Sequence, residues 1–269
     1  MKFTRTIAAT AAALLLSASL AACGNDAGGG DKIAIGIKFD QPGLGQKVGD
    51  SYEGFDVEVA KYVAKELGYE ESNIEWKESP SAQRENLIQG GQVKLIFATY
   101  SITDARKEKI SFAGPYFVAG QDLLVKADST ISGPSDLDGK KLCSVTGSTS
   151  AEKVKKEVPG VDLQQFDTYS KCVEALANGS IDAVTTDNVI LAGFAAQDAY
   201  KGKLKVVGAP FSEERYGVGL KKGDTELCQK VNTAIEKMVT SGDWAKAIEK
   251  TVGPSGFAAP AEPQVDACS

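Results

Sequence analysis

The chain has 269 residues, a formal charge of −6 and no histidine. An acidic balance with no basic run excludes nucleic acid as a partner, and the missing histidine removes the commonest general base and the commonest metal ligand together. Neither a metal nor a cofactor is expected. An anionic small ligand is not excluded, because local charges govern a pocket.

In chain order, Met1 to Arg5 carries Lys2 and Arg5, Ile7 to Leu16 is apolar, and small residues lead to Cys23. That order predicts a secretory signal over residues 1–22, its apolar core too short to remain as a span. Leu20-Ala21-Ala22-Cys23 resembles the bacterial lipobox. The resemblance implies a lipidated Cys23 that anchors the protein to the cell membrane from outside the cytoplasm. Residues 23–31, with Gly28-Gly29-Gly30, read as a flexible tether.

Lys32 to Lys38 alternates as a strand, and Val59, Tyr62, Val63 and Leu67 recur at helical spacing over Phe55 to Leu67, closed by Gly68. Ile74 to Trp76 is a short strand. A helix with Pro80 near its first position follows and ends at Gly90-Gly91. Leu95 to Ala98 is a buried strand. The alternation restarts with a strand at Lys141 to Val145, and Thr149-Ser-Ala-Glu152 reads as a capping box opening the next helix. Helices are expected around Ser170 to Ala177 and, capped by Asp187, at Asn188 to Ala196. Strands are expected at Ile181 to Thr185, Leu204 to Val207 and Tyr216 to Leu220. The helices Thr225 to Thr240 and Trp244 to Lys250 close the order, the first with the apolar stripe Leu227, Val231, Ile235 and Met238. Two α/β units in one chain predict mostly parallel sheets, two lobes and a cleft between them.

Cys143, Cys172, Cys228 and Cys268 allow three pairings in an exported chain. Cys143–Cys172 is favoured because both fall in the middle third. Cys228–Cys268 would then staple the Pro/Ala-rich tail to a helix. The spacings match no zinc motif.

Tyr52-Glu-Gly-Phe-Asp-Val-Glu58 and the segment from Ser101-Ile-Thr-Asp-Ala-Arg106 to Pro115-Tyr116 resemble the polar-amino-acid substrate-binding proteins of ABC transporters, within them the bacterial glutamate-binding lipoproteins. Leu137-Asp-Gly-Lys-Lys-Leu142 with Gly147-Ser-Thr149, and Gly179-Ser-Ile-Asp-Ala-Val184 with Asp187, follow at the family's separations. The likeness covers about residues 32 to 252. It implies a two-lobed α/β fold of the periplasmic-binding-protein type II. Two crossing strands would lie near Gln121 to Lys126 and Tyr216 to Leu220. Lobe 1 would hold residues 32–122 and 219–253, lobe 2 residues 123–218, and residues 254–269 would form a tail.

Arg106 offers the planar fork that matches a carboxylate, and it stands in a helix's first turn after the N-cap Thr103, where a cation opposes the helix dipole. The resemblance puts Arg106 and Ser101 on the ligand's α-carboxylate. Ser148 and Thr149 start a helix whose free N–H groups could complete that clamp. The resemblance gives Asp187 the ligand's ammonium group, with Asp182 as a solvated rival. It also matches Ser81 and Arg84 to residues that hold a side-chain carboxylate in glutamate/aspartate binders. Thr99 is expected to line the site and Lys38 to add positive charge. Tyr52, Phe55, Trp76, Phe112 and Tyr116 are expected in the core or the cleft wall. The implied function is capture of an amino acid, glutamate favoured, by a monomer that delivers it to a membrane permease without catalysis. Glutamine, aspartate or another polar amino acid is the alternative ligand. A dehydratase of the same fold and a sensory receptor are the rival functions.

Overall fold

The structure, a computed structural model, describes residues 32–268. The expected signal (1–22), the tether (23–31) and Cys23 lie outside the described residues. The chain begins with β1 (Ile33–Ile37) and a meander of β2 (Asp40–Gln41), β3 (Gly45–Val48) and β4 (Ser51–Glu53). Then come α1 (Phe55–Glu66), β5 (Ile74–Glu78), α2 (Arg84–Gln89), β6 (Leu95–Ile96), α3 (Asp104–Lys107) and β7 (Ser111–Ala119). Beyond Gly120 follow β8 (Gln121–Lys126), β9 (Lys141–Val145), α4 (Thr149–Glu157), β10 (Asp162–Phe166) and α5 (Tyr169–Asn178). The last elements are β11 (Ala183–Asp187), α6 (Asn188–Ala195), β12 (Leu204–Val206), β13 (Glu214–Leu220), α7 (Thr225–Thr240) and α8 (Asp243–Thr251).

Two five-stranded sheets result, ordered β5-β1-β6-β13-β7 and β10-β9-β11-β8-β12. Each joins three parallel strands to a strand that runs the other way, β13 in the first and β8 in the second. The sheets are therefore more mixed than strand–helix alternation predicts, because β8 and β13 are the strands by which the chain enters each sheet from the other. Glu214–Leu220 pairs with β7 and β6, and its Tyr216 also bridges Ser101. The second crossing thus precedes Glu214, within residues 207–213, instead of at Tyr216 to Leu220.

Ile33, Ile35 and Ile37 of β1 are buried beneath α1, whose Phe55, Val59, Ala60 and Val63 face the same core. Each of the isoleucine, valine and phenylalanine side chains contributes about 1.5–3 kcal/mol when fully buried. The stripe Leu227, Val231, Ile235 and Met238 of α7 is buried as its spacing predicts. Phe55 packs against Tyr116, Phe117 and Trp244, and the buried Trp244 indole donates to the Tyr116 carbonyl at 2.8 Å. The helix expected from Pro80 begins only at Arg84, leaving Pro80 to Gln83 as a turn.

Both favoured disulfides are present. Cys143–Cys172 ties β9 to α5, and Cys228–Cys268 holds the tail on α7. The Asp266 N–H also donates to the Gly114 carbonyl at 2.8 Å. Replacing Cys143 and Cys172 together by alanine is expected to lower the unfolding free energy by about 2–4 kcal/mol, since the bridge closes a loop of roughly 30 residues in the unfolded chain. Urea denaturation under non-reducing conditions measures this, and an unchanged midpoint would contradict it.

Candidate functional site

The side chains expected to bind ligand gather at the carboxyl ends of the parallel strands, where open α/β sheets form ligand crevices. On the first sheet the organising segment is Ala98 to Ser101, just past β6. The Ala98 carbonyl accepts from Arg84 Nη1 at 2.9 Å, and the Ser101 carbonyl from Arg106 Nη1 at 2.7 Å. Both guanidiniums lie over the Tyr100 ring, whose centroid is 4.0 Å from the Arg84 guanidinium carbon and 4.9 Å from that of Arg106. Thr103 caps α3 by accepting the Arg106 N–H, as predicted.

The two arginines differ in their partners. Arg106 Nε lies 3.5 Å from Glu85 Oε1. Arg84 is 2 % exposed, and its Nε is buried without a hydrogen-bond partner. Among the described residues no carboxylate lies within ion-pairing distance of it. Burial, then the neighbouring Arg106 charge, lowers its pKa to about 10. Lys38, at the end of β1, is equally buried. Desolvation lowers its pKa to about 8, against the pull of Asp40 and with the push of Arg84. No local pattern around Lys38 indicates such depth. Ser81 is buried in the turn before Arg84.

Across the cleft, α4 is capped by Ser148, whose hydroxyl accepts the Ala151 N–H at 3.1 Å. The expected capping box starting at Thr149 is therefore one residue out of register. Ser148 is spent on the cap, and the Thr149 hydroxyl is free to face the cleft. It donates to Glu214 Oε2 at 3.2 Å and lies 3.4 Å from the Ser101 hydroxyl. The Gly147 carbonyl accepts from Arg106 Nη2 at 3.1 Å. A Cβ on Gly147 would sit 2.7 Å from Ala82 Cα, so only glycine permits this approach of the two halves.

Asp187 occupies the N-cap position of α6, but its side chain does not cap, contrary to expectation. Its Oδ2 accepts the Tyr216 O–H at 2.6 Å, while Oδ1 is buried without a partner. Burial, then the nearby Glu214 charge, raises its pKa to about 7. Asp182 is exposed and accepts the Lys141 N–H, away from this cluster. Glu214 itself is buried, paired to Lys153 and bonded by the Ser212 hydroxyl at 2.8 Å. Sequence reasoning missed Glu214, Tyr216 and Asp56. The available signal was a charge at the edge of a buried run: Glu214 opens an inner strand, and Asp56 stands between the buried Phe55 and Val57.

The eight residues expected to bind ligand are all buried, Thr99, Arg106 and Thr149 being the most accessible at 8 %. Cations collect on the first half (Lys38, Arg84, Arg106), and acids collect at Asp187 and Glu214. Such a separation complements a zwitterion that carries additional negative charge.

A profile of the bacterial extracellular solute-binding proteins, family 3, matches residues 33–254. The chain belongs to that family. This solute-binding protein is 47 % identical over 271 residues to the glutamate-binding protein GluB of Corynebacterium efficiens, covering 93 % of this chain and 92 % of the relative. It is 36 % identical over 225 residues to the ABC transporter glutamine-binding protein GlnH of Bacillus subtilis, covering 82 % of this chain and 81 % of that one. A solved structure of an ancestral arginine-binding protein bound to glutamine superposes with a TM-score of 0.77 at 36 % identity, covering 83 % of this chain and 98 % of the other. The fold is thus the two-lobed type II arrangement, and the chain's role is to bind a solute outside the cytoplasm. Among the described residues no helix is long and apolar enough to cross a membrane.

Asp187 has a testable signature in ligand-free protein. Its pKa rises from 3.8 to about 7 on folding. Between those values the folded carboxyl keeps a proton that the unfolded chain has released, so this group's contribution to stability falls as pH rises through that window. Asp187→Asn is expected to lose less stability than the wild type between about pH 4 and pH 8. Denaturation at both pH values measures the difference, and equal losses would show that Asp187 does not titrate there.

Proposed function

We propose that this solute-binding protein captures an amino acid bearing a second carboxylate, L-glutamate above all, and delivers it to the permease of an ABC importer. The reading rests on Arg84, a guanidinium buried without a carboxylate partner. Burying such a charge is costly unless an anion meets it. One ligand carboxylate goes to Arg106, Ser101 and the first-turn N–H groups of α4. The other goes to Arg84, Ser81 and Lys38, and Thr99 lines the wall between. The ammonium goes to Asp187, whose unpartnered Oδ1 is the acceptor it requires. The 47 % identity to a glutamate-binding protein supports the same ligand. Glutamine would set a neutral amide against Arg84, and aspartate is one methylene too short to span two fixed guanidiniums.

The two lobes are proposed to meet around residues 119–121 and 207–213. Ligand settles on the first lobe, and closure adds Thr149 and Asp187 from the second. Closure removes water, which strengthens each charged contact. The ligand shifts the open–closed balance because it touches both lobes only when they are closed. Binding and release need no covalent step. Lipidation at Cys23 would hold the monomer beside its permease.

The test is calorimetric titration with glutamate, aspartate, glutamine and arginine on the wild type and on Arg84→Ala. Glutamate is expected to bind tightest. A hydrogen-bonded charge is worth about 1.5–3 kcal/mol, so Arg84→Ala should cost glutamate roughly tenfold to a hundredfold while sparing glutamine. Tighter binding of glutamine or arginine by the wild type would defeat the specificity claim.

A further inference from the structure

Thr99 has φ +46°, the one non-glycine residue with positive φ among those described. A β-branched side chain in that region is strained and persists only where its surroundings dictate it. Here the Thr99 N–H donates to Asp56 Oδ2 at 2.9 Å. Asp56 is fully buried in the first turn of α1, and its Oδ1 accepts the Tyr116 O–H at 2.8 Å. Packing alone would favour an apolar residue at this position, since Phe55 and Val57 on either side belong to the core. The turn is held hard against its neighbour as well: a Cβ on Gly54, at φ +115°, would come within 2.2 Å of the Leu44 carbonyl oxygen.

What the strained residue separates gives it a purpose. Ala98 and Ser101 lie on either side of Thr99, and their carbonyls seat Arg84 and Arg106 respectively. The Tyr100 ring that both guanidiniums contact belongs to the same four residues. Rotating φ at Thr99 into the ordinary negative region would swing Tyr100 and Ser101 relative to Ala98, and the two guanidiniums would part.

We propose that Asp56 is the positioning residue for both arginines: its carboxylate holds the Thr99 turn, and that turn sets the spacing and aim of Arg84 and Arg106. Asp56 does this without touching ligand. The inference rests on the two-arginine reading of the site, and it assigns the spacing of the two carboxylate seats to a residue behind them.

The variants Asp56→Leu, Asp56→Asn and Tyr116→Phe test it, each titrated with the amino acid that the wild type binds most tightly and each melted for stability. Asp56→Leu removes the acceptor and is expected to weaken binding by roughly tenfold to a hundredfold. Asp56→Asn loses the charge but can still place an amide oxygen on the Thr99 N–H and donate to the Tyr116 oxygen. It should bind within about threefold of the wild type. Tyr116→Phe removes the other bond to the same carboxylate, so it should lower the melting temperature while leaving affinity within the same limit. The proposal is overturned if folded Asp56→Leu binds like the wild type. It is equally overturned if Asp56→Asn loses as much as Asp56→Leu, which would make charge the cause, or if Tyr116→Phe does so, which would make general destabilisation the cause. Should Asp56→Leu not fold, amide exchange in the wild type decides: a strongly protected Thr99 N–H supports the proposal, and exchange at the rate of an exposed loop overturns it. A wild type that prefers glutamine defeats the glutamate reading alone, because Arg106 and its seat on Ser101 are still being read.

Discussion

A buried guanidinium with no carboxylate beside it is the constraint on which this site depends. Arg84 is removed from water, donates to one carbonyl, and lies against the face of Tyr100. Cation–π contact with a desolvated arginine is worth about 2 kcal/mol, well short of what losing water costs an ion. Lys38 adds a second buried cation, its amine pKa lowered by burial first and by the Arg84 charge to a lesser degree. The polar imbalance is repeated with opposite sign at Asp187, where a buried carboxylate oxygen has no donor. A dicarboxylic amino acid would meet each of these unsatisfied groups at once.

The fold brings the two kinds of charge together by topology. The cationic half is assembled from the ends of β1 and β6 and the starts of α2 and α3, all attached to the first sheet. Thr149 and Asp187 come from the ends of β9 and β11 in the second. Tyr216 and Glu214 belong to β13, the strand that returns to the first sheet, and they reach across to both. Gly147 against Ala82 sets how near the halves can come. On the proposed reading, closure is coupled to binding, since the donors for one end of the ligand and the acceptor for the other come from different sheets.

Local patterns announced much of this. The stripe of α7 and the Thr103 cap follow from spacing and side-chain chemistry, which need no tertiary context. Two-lobe organisation follows from the restart of strand–helix alternation and Thr149 from its place at a helix N-terminus, whereas the roles of Ser101, Arg106 and Asp187 came through resemblance in motif order. The misjudged features depend on what lies opposite. Ser148 and Thr149 are both competent caps, and the choice between them is made by Glu214, which sits on a strand more than 60 residues away and takes the Thr149 hydroxyl. Asp187 looks like a cap until Tyr216 claims its carboxylate. Glu214–Leu220 reads equally well as a crossing strand or an inner one, and only its partners β6 and β7 decide. Lys38 and Asp56 look like ordinary charges near element ends, and their burial comes from the rest of the fold.

The most direct test of the account is a crystal structure of the protein grown with L-glutamate. The α-carboxylate is expected on Arg106 and Ser101, the ammonium on Asp187, and the side-chain carboxylate within hydrogen-bond distance of Arg84. A glutamate whose side-chain carboxylate points to solvent, or is held by other groups while Arg84 bonds only the Ala98 carbonyl, would contradict it.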